Sequence, residues 1–175
     1  MRMRITFSLA FAILAAHTTA RSAEPFTVTV PGQGWTIAFE SPALQNYKGQ
    51  SNDKAFQFQA MSEAGFNLSI FVEEAGAKEG GHAACADKYW PLAKRNPMID
   101  QDSAKKTTTE NFVKVAYNIK AGEGANAKIV ANVNYYFAFQ GKWIDVHVSR
   151  YPSAADDAEI LANFEKSLTY KVTKP

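Results

Sequence analysis

The sequence predicts an α+β fold: an antiparallel sheet of about seven or eight strands with two packed helices. Two observations carry this. After residue 24, apolar and polar side chains alternate with a period of two over most of the chain, which puts every second side chain on one face of a strand. Two windows change to a spacing of three and four, the mark of a helix face.

Taken in order, Phe26, Val28 and Val30 form the first apolar face, and Pro31-Gly-Gln-Gly34 turns the chain into Trp35, Ile37 and Phe39. A four-residue loop pairs Val30 with Trp35, Val28 with Ile37 and Phe26 with Phe39, apolar against apolar throughout. From Glu40 to Lys54 the chain is polar and contains Pro42 and Gly49, which predicts an exposed loop with one helical turn at its start, a second candidate beside the sheet face for holding a partner or small ligand. Phe56, Phe58 and Ala60 are then expected to pair with Ile70, Leu68 and Phe66 around a turn near Ser62 to Gly65. Ala84, Cys85, Lys88, Tyr89 and Leu92 predict a helix from about 80 to 94, with Pro91 kinking or ending it. Three strands follow, over 105–109, 112–120 and 128–140, and Gln140-Gly141-Lys142 turns the chain into a fourth over 143–151. Ser153 is a candidate cap for a closing helix whose buried face is Ile160, Leu161, Phe164 and Leu168.

Composition fits one globular domain. The chain has 175 residues, 46% of them hydrophobic and 21% charged, which excludes a disordered tail or a collagen-like fibre. Its start reads as a signal peptide over 1–23: a cationic Met-Arg-Met-Arg, an apolar run from Ile5 to Ala16, then small residues. That run falls short of the roughly 20 residues that span a bilayer. With Arg2, Arg4 and Arg21 removed, the 19 basic residues fall to 16 against 17 acidic ones. No basic excess or block remains to read phosphates, so no nucleic-acid partner is expected. The expectation is a periplasmic or secreted single domain over 24–175, monomeric and without a membrane anchor once the signal is removed. Cys85 is the only cysteine, so no internal disulfide is available and the core alone must hold the fold.

The segment Trp35-Thr-Ile-Ala-Phe-Glu-Ser-Pro42, the long middle of paired strands and the closing Asn163-Phe-Glu-Lys-Ser-Leu168 together resemble the PsbP-like fold group. The resemblance implies a sheet packed by helices and a role as an accessory or binding protein more than as a catalyst. It carries no ligand residue across, because function resides in sites and not in folds.

The last hairpin holds the candidate site. A two-residue turn puts Asn134 and Tyr136 on one face with Trp143, Asp145, His147 and Ser149, while Val133, Tyr135, Phe137, Ile144, Val146 and Val148 form the core face behind. Flat aromatic surfaces beside fixed donors and acceptors suit a small polar ligand or a protein partner. The competing reading is an outer sheet face that is solvated or covered by a helix. Asp145 and His147 are also the acid-base pair a small hydrolase-like enzyme would use, and an immunity or inhibitor protein fits the same features. His82 and Cys85, three apart, have a spacing compatible with metal ligands, but no second Cys or His cluster supports them, and Cys85 reads as a small core residue. No catalytic set, metal site or cofactor is called for.

Overall fold

The structure is a computed structural model that describes residues 23–76, 80–122 and 127–173. The expected signal peptide lies outside them except for Ala23. Among the described residues there are ten strands and two helices. Strands β3 (Leu44–Ser51), β4 (Ala55–Ser62), β5 (Phe66–Glu74), β9 (Lys142–Arg150), β8 (Lys128–Phe139), β7 (Val113–Ala121) and β6 (Ile99–Thr108) make one antiparallel sheet in that spatial order. The first hairpin, β1 (Glu24–Val30) and β2 (Trp35–Ser41), stands apart in a three-stranded sheet with β10 (Thr169–Val172), a strand that lacked a sequence signal.

Helix α2 (Asp157–Ser167) explains that second sheet. It delivers the chain end beside β2, where Tyr170 opposes Ile37. Phe39 and Phe164 meet at 5.0 Å, Trp35 and Phe139 at 5.4 Å, and Phe137 stacks on Tyr170 at 4.5 Å. The main core thus lies between the small sheet with α2 and one face of the large sheet. Helix α1 (Gly81–Ala93) lies against the other face, over β7, β8 and β9. It runs on through Pro91 and stops at Ala93, so the missing donor costs only the last turn. Ser153 does not cap α2: its hydroxyl donates to the Ile129 carbonyl, and the helix begins at Asp157.

The β1–β2 register is the one expected, Phe26 with Phe39 through Val30 with Trp35. The β4–β5 register differs by two residues: Ala60 opposes Leu68 and Phe58 opposes Ile70. The turn is centred one residue later than expected, on Ala64, and is closed by the Gly65 amide on the Ser62 carbonyl and the Phe66 amide on the Ser62 hydroxyl. Gly65 has φ +78°, and a Cβ there would lie 1.9 Å from the Tyr151 carbonyl oxygen, so only glycine closes it. A slip of two keeps every side chain on its predicted face. The expected loop from Glu40 to Lys54 is mostly β3, an edge strand with a bulge between Gln45 and Lys48. From Asn46 onward its side chains are exposed on both sides, which erases the apolar alternation that marks a strand.

Candidate functional site

The β8–β9 turn has positive φ at both Gln140 and Gly141, the geometry that lets a two-residue loop follow the sheet twist. It sets Asn132 against Ser149, Asn134 against His147, Tyr136 against Asp145 and Ala138 against Trp143. Asn134, Tyr136, Trp143, Asp145, His147 and Ser149 therefore share one face. Neighbouring strands extend it: β5 places Asn67 opposite Ser149 and Ser69 opposite His147, β4 places Gln59 opposite Ser69, and β3 places Lys48 opposite Gln59.

Helix α1 divides this face in two. Its buried residues Cys85 and Ala86 are small, so the helix backbone comes close to the sheet. The Tyr89 ring stacks on Tyr136 at 6.2 Å and meets Trp143 edge-on at 6.5 Å, while Trp90 packs on Tyr117 at 5.2 Å. Tyr136 is 0% and Trp143 9% exposed. The expectation that these two aromatics line an open face is thus corrected: they form a second core beneath α1. His82 pins the helix there, its Nδ1 accepting from the Ala138 amide and its Nε2 donating to the Glu110 carbonyl. Both ring nitrogens are committed to backbone. Cys85 donates to the Ile144 carbonyl, and burial pushes its thiol up to about 12, the behaviour of a core cysteine and not of a nucleophile.

At the border of the covered half, the Tyr117 hydroxyl donates to Asn134 Oδ1 at 3.0 Å, and Asn134 Nδ2 donates to Asp145 Oδ1 at 2.7 Å. Burial drives the Asp145 carboxyl up to about 7, and the Asn134 bond offsets only part of this. Such a group holds its proton near neutrality, the state a general acid needs. The same burial drives His147 down to about 4, leaving a neutral imidazole. Tyr117 and Tyr136 test the covered network. Tyr136 Oη is buried with no partner among the described residues. Tyr136→Phe is therefore expected to be neutral or stabilising in urea denaturation, whereas Tyr117→Phe strips Asn134 Oδ1 of its donor and is expected to cost about 1–3 kcal/mol.

The other half is open. Asn46, Lys48, Gln59, Asn67, Ser69 and His147 line a groove of about 280 Å³ across β3, β4, β5 and β9. His147 joins it from the expected site, and Ser149 lies beside it, opposite Asn67. Asp145 is one pair further along, opposite Phe71. Sequence reasoning missed Gln59, Asn67 and Ser69, because cross-strand neighbours on four strands make no linear motif, and it reached Lys48 only as part of the Glu40 to Lys54 segment. The one available signal was parity, which places Gln59 and Ser69 on the face away from Phe58 and Leu68.

No helix among the described residues is long and apolar enough to cross a membrane. No protein-family model matches the chain, and no curated protein matches it. The chain is similar in structure to the cyanobacterial PsbP (CyanoP) of Synechocystis sp. PCC 6803, with 15% identity and a TM-score of 0.49, over 91% of this chain and 98% of that one. It is also similar to a protein of Bacteroides thetaiotaomicron, with 14% identity and a TM-score of 0.38, over 79% of this chain and 45% of that one.

Proposed function

We infer that this chain is an exported accessory or binding protein that holds a small polar ligand in the open groove beside His147. The export part rests on the cationic start, apolar run and small-residue exit of residues 1–23. The binding part rests on one observation above all: a row of polar side chains, Lys48, Gln59, Ser69 and His147, drawn from four adjacent strands onto a face that α1 leaves open. Among the described residues the Gln59 and Ser69 side chains make no hydrogen bond, so their donors and acceptors are available to a guest. Because strands fix the backbones that carry these groups, a guest meets them at set spacings and orders only the exposed Lys48 and Gln59 side chains.

Native mass spectrometry of the protein purified gently from its own host tests this. A folded monomer carrying an extra small mass is expected. The mass should disappear in Ser69→Leu, which fills the groove without touching the core behind the sheet. A bare wild-type monomer, or a mass that Ser69→Leu retains, would overturn the reading.

A further inference from the structure

Building on that reading, we propose that the groove takes a small polyhydroxy carboxylate, a sugar acid of monosaccharide size, with its carboxylate on Lys48 and one of its hydroxyls donating to His147 Nδ1. Three features of the site lead there. The first is charge. Among the described residues Lys48 is the one formally charged side chain lining the groove, no carboxylate lines it, and Lys48 has no ion-pair partner. An anionic group on the guest answers that lysine, and a cationic guest finds no counter-charge.

The second is the fixed tautomer of His147. Asn132 Nδ2 donates to the Val130 carbonyl at 2.8 Å, which turns the amide so that Oδ1 faces His147 Nε2 at 2.9 Å. A carbonyl oxygen only accepts, so the proton sits on Nε2 and the Nδ1 lone pair remains as an acceptor. Burial keeps the imidazole neutral, so this acceptor persists at ordinary pH. It asks the guest for a donor, which a hydroxyl supplies and a simple carboxylate does not.

The third is size and spacing. Lys48, Gln59, Ser69 and His147 form one cross-strand row, so the outer two backbones lie three strand spacings apart, roughly 14 Å. Once the two side chains reach inward, the gap suits a guest one sugar ring long. Between them stand the Gln59 amide and the Ser69 hydroxyl, neutral groups that hydrogen-bond ring hydroxyls and repel neither end. A volume of about 280 Å³ sits just below the range of roughly 300–1,000 Å³ that holds drug-sized ligands.

Amide chemical shifts of the ¹⁵N-labelled mature protein, titrated in parallel with sodium D-glucuronate, D-glucose and sodium acetate, test the proposal. Glucuronate is expected to move the Gln59, Ser69 and His147 amides saturably, with glucose and acetate each about tenfold weaker. Lys48→Gln, an exposed change with no folding consequence, is expected to weaken glucuronate about tenfold, to the level of glucose, while Lys48→Arg retains it. His147→Phe is expected to weaken glucuronate and glucose alike and to leave acetate unchanged. Glucuronate binding equally well to wild type and Lys48→Gln would overturn the proposal, as would the absence of any saturable shift. If glucose matches glucuronate, the acid class falls while the groove stands as a binding site. If none of the three probes moves these amides but the host-purified protein carries a mass that Ser69→Leu loses, the sugar-acid inference alone fails.

Discussion

Replacing Asp145 by Asn and His147 by Gln is expected to tilt the stability of the protein with pH in opposite directions. Asp145 rises from an ordinary 3.8 to about 7 in the folded chain, so between those values the folded state holds a proton that the unfolded state has lost. Its contribution is fully present below pH 3.8 and is lost as pH rises to about 7. His147 falls from 6.5 to about 4, so there the unfolded state holds the extra proton. Its contribution is present above pH 6.5 and is lost as pH falls towards 4. Across the shared window the slopes oppose each other, because the folded pair is neutral and the unfolded pair is an aspartate with an imidazolium. As upper bounds the shifts correspond to roughly 4 kcal/mol for Asp145 and roughly 3 kcal/mol for His147. The other ionisable groups coupled to Asp145 do not share the window: burial holds the Tyr117 hydroxyl and the Cys85 thiol up at about 12 and lifts Tyr89 and Tyr136 further still.

The measurement is the urea midpoint of each variant minus that of wild type, from pH 4 to 7, which cancels carboxylates common to all three proteins. The Asp145→Asn difference should climb with pH, since the variant escapes the cost of a buried carboxylate and keeps an oxygen for Asn134. The His147→Gln difference should fall over the same range, with Gln still able to donate to Asn132 Oδ1. Difference curves that are flat for both variants would mean that neither group is perturbed by its surroundings, and the neutral His147 acceptor in the groove would lose its basis.

Much of this architecture was legible in the chain, and the exceptions share a cause. Parity predicted the β1–β2 register and the membership of the β8–β9 face because one side of each strand is strongly apolar. Phe137, Ile144 and Val146 cannot face water, so Tyr136, Asp145 and His147 must occupy the other side. Parity says nothing about which sheet a strand joins, so the departure of β1 and β2 to pair with β10 was invisible. It fails altogether for β3, where exposure on both faces leaves no apolar stripe from Asn46 to Ser51. The choice between an open and a helix-covered face was left undecided for a related reason: α1 buries its face through Cys85 and Ala86, residues too small to announce a docking surface. In hindsight Tyr136 and Trp143 carried the signal, since two large aromatics on an outer sheet face call for a cover.

Arg150→Met is expected to be among the most damaging single changes, although it lies on the core side of β9. The side chain is 1% exposed. Its Nε donates to Asp157 Oδ1 at 2.7 Å, one terminal nitrogen reaches Asp156 at 3.3 Å, and the other donates to the Ala64 carbonyl at 2.7 Å. Asp157 in turn accepts from the Ala154 amide, so the guanidinium ties the first turn of α2 to the β4–β5 turn. Methionine fills the volume but leaves a largely buried carboxylate without its counter-charge, which costs about 3–5 kcal/mol. Arg150→Lys should recover only part, because one ammonium cannot span three acceptors set around a planar fork. The decisive comparison is Arg150→Met with Asp157→Asn: if the stranded charge is the cause, the double variant regains stability over Arg150→Met alone. A double variant as damaged as the sum of the two single changes would place the loss in packing instead. Since the Arg150 contacts point away from the groove, the amide shifts of Ser69 and His147 should stay near their wild-type values in whatever fraction remains folded, separating the group that holds α2 in place from the groups that face a guest.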